Sequence, residues 1–244
     1  YGMGLMNFDK EPALIVQVPD FGDRFWVYQV CDQRTDGFAE IGKMYGSKPG
    51  FYLLTGPNWD GKTPDGIQKV FKCATSLGLI IPRAFQSDDV ADKQALQPTL
   101  TQIMMYPVSQ FDGKMKTADW KGLPTFPSAS SGGEETKWVD PNSFFDVLPE
   151  ILKEVPAMAG EEALYAQMQS VLDASAKDPK IKAVLKAAAI EYEASLIKPL
   201  FQFVNVGYPV QYNWTTQKNG ASFGTDYLTR TAVAKSNIFV NKPA

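Results

Sequence analysis

Short apolar runs separated by Gly, Pro and Asp turns fill the first hundred residues, a pattern typical of β-strands. Each run is four to seven residues long, as strands in globular proteins usually are. The strands predicted from this pattern are residues 13–18, 24–30, 51–55, 67–73 and 77–81, with Pro82 closing the last one. Several short strands with such turns predict a β-sandwich or a jelly roll.

The run at residues 24–30 is apolar on both faces. Phe25 and Val27 point one way, while Trp26 and Tyr28 point the other way. A strand with two apolar faces is expected to be covered on both sides.

A short helix and an irregular stretch follow the strands. Ser87 is placed to cap a helix that runs through Gln97, since its hydroxyl suits an N-cap and acidic residues follow it. Residues 103–108 form another apolar run. Residues 109–140 are rich in Ser, Gly and Pro and exceed the usual length of a connection, so they are interpreted as a linker or a lid.

From residue 140 the apolar period changes to about 3.6, which predicts helices. The first contains Pro149 and is expected to kink there, the second opens at Glu161, and the third starts at Asp178 and stops before Pro199. The third helix is expected to face inward through Ile181, Val184, Leu185, Ala188, Tyr192 and Leu196.

The order of elements predicts an α+β fold, with an N-terminal antiparallel β-sandwich or jelly-roll-like region followed by a helical region. The expected parts are a β-rich region at 1–108, the linker or lid at 109–140, a helical region at 141–200, and a mixed tail at 201–244 with a helix near 225–235.

Composition excludes several classes of function. The net charge is −3 and the lysines are scattered, which argues against nucleic-acid binding. No apolar run approaches the ~18 residues that span a membrane. The chain has no histidine, so it cannot by itself build a Ser–His or Cys–His pair or a histidine metal site. No cofactor and no metal site are predicted. Cys31 and Cys73 are interpreted as buried free thiols.

One short motif resembles a catalytic pattern. Residues 220–224 match the Gly-x-Ser-x-Gly nucleophile elbow around Ser222, with Lys218 and Lys235 nearby in sequence. The elbow requires a base, and Asn219-Gly220 also reads as an ordinary turn. The interpretation of this motif as an ordinary turn is therefore favoured over a catalytic elbow.

Six residues are singled out as candidates for a site. Asp32 and Asp226 are the catalytic candidates, since a carboxylate can serve as a general base. Candidates for ligand binding are Arg83, Arg230, Trp59 and Tyr227. Each has a structural alternative: Asp226 and Arg230 have the spacing of a helical ion pair, and a Trp in a turn often covers the edge of a core.

Two sequence segments resemble a known family over their whole length. These are residues 51–61, which read FYLLTGPNWDG and are followed by Pro64, Gly66 and Arg83, and residues 223–234, which read FGTDYLTRTAVA. Together with Lys10-Glu11-Pro12 and Phe144-Phe145, they resemble the bacterial family catalogued as domain of unknown function 1254.

This resemblance implies an exported protein, periplasmic or secreted, built from β-sandwich modules with helices between them. Family members usually carry a second module, domain of unknown function 1214, after the segment matching residues 234–241. Here that module is expected to be missing, which makes the chain a fragment or one half of a split protein. The family has no established activity, so no catalytic residue is carried over.

Three functions remain open at this point. The first is a binding or assembly module for a small molecule or a saccharide, either as a homo-oligomer or with the second C-terminal module as its partner. The second is a carboxylate-dependent hydrolase or lyase acting on a carbohydrate or an ester. The third is a structural shell protein, since jelly rolls tile well.

Overall fold

The computed structural model describes residues 2–119, 122, 140–201, 208–216 and 222–231. It divides into two compact units, Tyr1–Pro127 and Ser128–Ala244. The first unit holds the strands of both large sheets, and the long helices of the described part follow in the second. The predicted α+β class, with a β-sandwich region before a helical region, is confirmed.

The described part of the β unit contains eight strands and one α-helix. Their bounds are β1 Gly4–Asn7, β2 Ala13–Val18, β3 Trp26–Asp32, β4 Ile41–Gly42, β5 Gly50–Thr55, β6 Ile67–Lys72, β7 Leu77–Ala84, α1 Val90–Leu100 and β8 Met104–Pro107. All five predicted strands are present, and the apolar run at 103–108 supplies β8.

The strands form two four-stranded sheets, which makes the unit a sandwich. The first has the order β1-β7-β3-β4 and is antiparallel throughout. The second has the order β6-β5-β2-β8, and in it β5 and β6 run parallel while the other pairs are antiparallel. The sandwich is therefore mixed, where the sequence predicted purely antiparallel pairing.

The main core lies between the two sheets. Tyr28 and Ile41 of the first sheet pack in the same apolar cluster as Val16 and Leu54 of the second, and all four are at most 1% exposed. Removing such side chains from water is the main favourable contribution to folding. Alternate residues of β2 and β5, such as Ile15 and Leu53, instead fill a smaller core on the far side of the second sheet.

Among its described residues, the helical unit contains three long helices. They are α2 Phe144–Glu154, α3 Glu162–Lys177 and α4 Pro179–Phe201, and they pack on one another. A two-stranded ribbon follows, β9 Tyr208–Pro209 and β10 Thr215–Thr216. Residues 227–231 are helical, while the rest of the helix predicted near 225–235 lies outside the described residues.

Proline was a poor guide to where elements end. Strand β7 passes through Pro82, whose carbonyl accepts a hydrogen bond from the Gly2 amide. The nitrogen and the carbonyl of Pro82 thus both point toward β1. Pairing of β7 with β1 has already ended at Ile80, so the missing N–H of Pro82 removes no hydrogen bond between these strands. Helix α4 likewise continues past Pro199 to Phe201, so this proline does not end the helix.

Two further predictions about helices were wrong in detail. Helix α1 is capped at Asp89 rather than Ser87, and it continues through Pro98 to Leu100. In α4, Val184 and Tyr192 are 66% and 69% exposed, although both were expected to face inward. Alanines lie on every side of this helix, so its apolar pattern does not fix which side packs.

Candidate functional site

The outer face of the first sheet is apolar from one edge to the other. Register aligns Leu5 of β1 with Leu79 of β7, and Leu79 with Cys31 of β3. Side chains of a strand alternate between its two faces, so the odd-numbered residues here point away from the main core. We call this surface the outer face: Met3, Leu5, Phe25, Val27, Gln29, Cys31, Leu77, Leu79, Ile81, Arg83 and Phe85.

Several of these apolar side chains are well exposed. Leu5 is 71% exposed, Phe85 60% and Phe25 52%. A solvated sheet face normally carries polar residues in alternation with the core, but here only Gln29 and Arg83 are polar. A contiguous exposed apolar face of this kind is a candidate interaction site, because scattered single apolar residues are the norm on a protein surface.

The expectation that β3 is covered on both sides is therefore met on one side only. Trp26, Tyr28 and Val30 are buried against the second sheet, whereas Val27 and Gln29 are half-buried. The sequence correctly indicated two apolar faces. Within the described residues, the second face lacks a full cover.

A cleft lies beside helix α1 in the same unit. Its volume is about 510 Å³, within the range of small-molecule sites. Pro82, Leu96 and Ile103 are among its apolar walls, and Gln86, Gln97, Thr101 and Asp119 are the polar residues along it. An apolar floor with a few hydrogen-bonding groups is the usual composition of a ligand site.

An ion pair ties helix α1 to the first sheet. The guanidinium of Arg24, just before β3, binds the carboxylate of Asp92 through two hydrogen bonds, and the Nη1 to Oδ2 distance is 2.9 Å. The Ser87 amide donates to the same carboxylate. These bonds hold the pKa of Asp92 below its ordinary value, with the Arg24 hydrogen bond as the largest cause. The pair thus fixes the helix that forms one wall of the cleft.

Asp32 stabilises the loop that follows β3. Its Oδ1 accepts hydrogen bonds from the amides of Arg34 and Asp36, which closes the loop after β3. Burial raises the pKa of its carboxyl group, and the hydrogen bonds from Arg34 and Asp36 oppose that rise. A carboxylate that caps its own loop is a usual arrangement in turns.

Arg83 does not share a site with Asp32. Along the β3–β7 ladder Asp32 lies opposite Gly78, whereas Arg83 lies opposite Val27. The two positions are about 16 Å apart along the strand. They also differ in face, since Asp32 is buried while Arg83 is exposed on the outer face.

Three candidate residues follow residue 220, and all three belong to the helical unit. Asp226 accepts a hydrogen bond from the Thr229 amide and so caps the segment 227–231. Arg230 donates to the carbonyl of Gly224 and lies 5.5 Å from the centre of the Phe223 ring.

Tyr227 contacts a residue that the sequence did not single out. Its hydroxyl donates a 2.7 Å hydrogen bond to Oε1 of Glu161, which is only 2% exposed. The Met158 amide donates to the other oxygen of Glu161. A buried glutamate at the start of a helix looks like an ordinary surface acid in sequence, so no signal pointed to it.

Trp59 is half-buried and packs against the small core beyond the second sheet. The residue thus covers the edge of that core, the structural alternative for a Trp in a turn. Of the elbow motif, Ser222 to Gly224 are described, while residues 220–221 lie outside the described residues. Cys31 and Cys73 are both buried free thiols.

The described residues lack two kinds of feature. In the described part of the chain no helix is long and apolar enough to cross a membrane. Among the same residues, no three His, Cys, Asp or Glu side chains gather as metal ligands. Asp92, one of three clustered aspartates near the start of α1, is engaged by Arg24 instead.

Comparison with known proteins identifies a family and a similar fold. The family model described as "Protein of unknown function (DUF1254)" matches residues 1–107. The crystal structure of the VPA0106 protein from Vibrio parahaemolyticus, a structural-genomics target, is similar with a TM-score of 0.63 at 15% sequence identity. The match covers 98% of this chain and 56% of that protein, so this chain spans little more than half of its length.

At that level of identity the similarity shows a shared fold and no more. A comparison with curated proteins gave no match. The family resemblance inferred from the sequence is confirmed where the family model matches: residues 1–107 are similar to the DUF1254 family of proteins of unknown function.

Proposed function

We propose that the protein is an assembly module whose outer face binds the same face of a second copy of the chain. The observation that carries this proposal is the apolar character of that face from β1 to β3. Two such sheet faces pack well, because stacked sheets lie about 10 Å apart with interdigitating side chains.

The size of the face suits a stable pairing. The face extends over three adjacent strands, β1, β7 and β3, and a standard interface takes ~800 Å² from each partner. Leu79 and Ile81 of β7 lie at its centre, Leu5 lies beside them on the edge strand β1, and Arg83 lies to one side. An apolar centre bordered by polar residues is the usual anatomy of a protein interface.

The test is the oligomeric state of the full chain with a charge placed on the face. Leu5→Glu should convert dimers to monomers, and it should not unfold the protein because Leu5 is 71% exposed. The matched control is Val70→Glu, which alters another exposed apolar strand residue, 40% exposed, in β6 of the second sheet. Sedimentation velocity reports the masses.

We expect dimers for the wild type and Val70→Glu, and monomers for Leu5→Glu. A wild type that stays monomeric at high micromolar concentration would overturn the proposal. So would a dimer that Leu5→Glu leaves intact, because the contact would then lie elsewhere. Circular dichroism confirms that each variant is folded.

A second function is favoured by the cleft beside α1. We propose that it binds a small polar organic molecule, with a saccharide as the class to test first. Its apolar walls and its amide, hydroxyl and carboxylate groups suit a ligand that has one apolar side and several hydrogen-bonding groups.

Gln97→Trp tests this site by filling the cleft from an exposed position on α1. The control is Gln94→Trp, the same substitution one turn earlier at an exposed position that does not line the cleft. A panel of neutral mono- and disaccharides is screened by NMR chemical-shift changes. We expect shifts at Thr101 and Ile103 that Gln97→Trp abolishes and Gln94→Trp keeps. Shifts that survive Gln97→Trp would contradict this site.

The compartment is proposed from family resemblance alone. We infer a periplasmic or secreted protein, because the family resembles exported bacterial proteins. Fractionation of the native host with an antibody against this chain tests it, and recovery in the cytoplasmic fraction would contradict the proposal.

A further inference from the structure

The helical unit contains a cavity of its own, which the proposed functions do not use. Its volume is about 530 Å³, and it lies between the start of α2, the middle of α4 and the segment 227–231. Most of its described wall is apolar, formed by Phe144, Phe145, Ala188, Ala189 and Leu196. Because these walls come from separate elements, the apolar surface is concave and has the size of a small-molecule site.

The cavity is elongated along α4. Its wall on this helix runs from Ala188 to Leu196, through positions that lie on one face of the helix. Eight positions of a helix span about 12 Å, which matches an extended alkyl chain of roughly eight to ten carbons. Room for such a chain is left where Ala188 and Ala189 carry only a methyl group. On α2, Phe144 and Phe145 meet edge to face, with their ring centres 5.0 Å apart, and add ring surface to the wall.

Two polar groups of the described wall are already engaged within the protein. The Thr231 hydroxyl donates a 2.7 Å hydrogen bond to the carbonyl of Tyr227 in its own segment. Glu193 has the only charged side chain among the described wall residues, and it has an interaction partner within the chain. Tyr192 is 69% exposed and so lies where the cavity meets solvent. A ligand inside therefore meets mainly apolar surface, and a polar group on it is best left in water at this opening.

We propose that this cavity binds the alkyl chain of a single-chain amphiphile, such as a fatty alcohol or an acyl ester, whose polar head stays in water beside Tyr192. Each methylene that leaves water for the apolar wall strengthens binding. Ions and saccharides are disfavoured, because the charge of Glu193 and the hydroxyl of Thr231 are already engaged. A protein partner is disfavoured, because a cavity of this length offers far less surface than the ~800 Å² of a standard interface.

The first test compares 1-octanol with 1,8-octanediol on the full chain, since the two probes have chains of equal length. The diol would bury its second hydroxyl against apolar walls without a hydrogen-bond partner. We therefore expect 1-octanol to bind at least about fivefold more tightly, as measured by NMR titration of the amides of Ala188 and Tyr192. Equal affinities would overturn the proposal. The absence of shifts at these amides at about 1 mM 1-octanol would also overturn it, because burial of the whole chain should give a Kd below that concentration.

The second test varies the length of the chain. From 1-butanol to 1-octanol the affinity should rise roughly threefold for each added methylene, because each one is removed from water. The same amides report the binding. A series without this rise would show that the chain is not buried and would overturn the proposal.

Matched variants assign the binding of 1-octanol to this cavity. Ala188→Trp should fill the cavity and abolish binding, whereas Ala187→Trp, at an exposed alanine outside the described wall, should change the affinity less than about twofold. Leu5→Glu on the outer face should leave the affinity unchanged, which separates this site from the proposed dimer contact. Binding that survives Ala188→Trp would overturn the proposal, and so would equal losses in the two tryptophan variants or a loss in Leu5→Glu. Circular dichroism checks that each variant keeps its helices.

Discussion

The side-chain amide of Gln17 hydrogen-bonds to both backbone groups of Lys116. Its Oε1 accepts from the Lys116 amide at 2.8 Å, and its Nε2 donates to the Lys116 carbonyl, also at 2.8 Å. Nε2 also donates to the carbonyl of Gln102. Gln17 is fully buried near the end of β2, so one side chain fastens the segment after β8 onto the far side of the second sheet.

Gln17→Leu should therefore be costly although it makes the core more apolar. The change leaves the amide and carbonyl of Lys116 without these bonds in a part-buried place, and we expect the free energy of unfolding to fall by about 2–4 kcal/mol. Urea unfolding measures it, and hydrogen exchange should show faster exchange at Lys116. Gln94→Leu, a change of the same kind at an exposed position on α1, is the comparison. A loss no larger than that of Gln94→Leu would contradict the role of Gln17.

The ion pair between Arg24 and Asp92 predicts a dependence of stability on pH. The pKa of Asp92 is lowered in the folded state, so its contribution is present above the ordinary pKa of an aspartate and is lost as the pH falls through the lowered value. The difference in thermal midpoint between wild type and Asp92→Asn should be constant from about pH 5 to 7 and should shrink below about pH 4.

Asp88→Asn, an exposed acid in the same stretch, provides the control for general charge effects. A difference that grows as the pH falls would show that the carboxylate of Asp92 is not stabilised by Arg24. Direct titration of the carboxyl carbon by NMR gives the same answer independently.

The hydrogen bond from Tyr227 to Glu161 should hold the segment 227–231 in place. Tyr227→Phe removes the hydroxyl from a buried carboxylate, which should cost about 1–3 kcal/mol locally. Hydrogen exchange at Thr229 and Arg230 should become faster, while amides within the β unit stay unchanged. Tyr212→Phe, at an 88% exposed tyrosine, should have no effect. Unchanged exchange in Tyr227→Phe would show that other contacts hold the segment.

Both thiols should react slowly in the native protein. Burial raises the pKa of Cys31 and of Cys73, which disfavours the reactive thiolate. Cys73 is fully buried while Cys31 is 7% exposed, so Cys31 should react first with Ellman's reagent at pH 8. The variants Cys31→Ala and Cys73→Ala isolate each thiol, and urea should make both react quickly. Fast native labelling of Cys73 would contradict its placement.

The sequence predicts local elements well where side-chain chemistry settles them. Strand β2 matches its prediction at both ends because Pro12 and Pro19 flank a run that is apolar except for Gln17. Asp178-Pro179 likewise marks the start of α4. In both cases the deciding forces act between residues close together in the chain.

Contacts between distant residues are the part that the sequence does not reveal. Arg24 and Asp92 are separated by 68 positions, and nothing in their neighbours indicates that they pair. The parallel pairing of β5 and β6 is equally hidden, because β6 has the alternation of any edge strand. The cleft beside α1 forms only when residues from β7 and α1 come together in the fold. The same holds for Gln86 and Gln97, which line the cleft.

The pairing of β1 with β7 also decides when this fold can form during synthesis. Gly4 aligns with Ile80, so the first strand emerges from the ribosome long before its partner exists. Contacts between such distant positions are entropically costly to close and make folding slow. Until residue 84 has emerged, Met6 and Leu5 both lack a sheet to join, and the nascent chain exposes an apolar strand edge of the kind that chaperones protect.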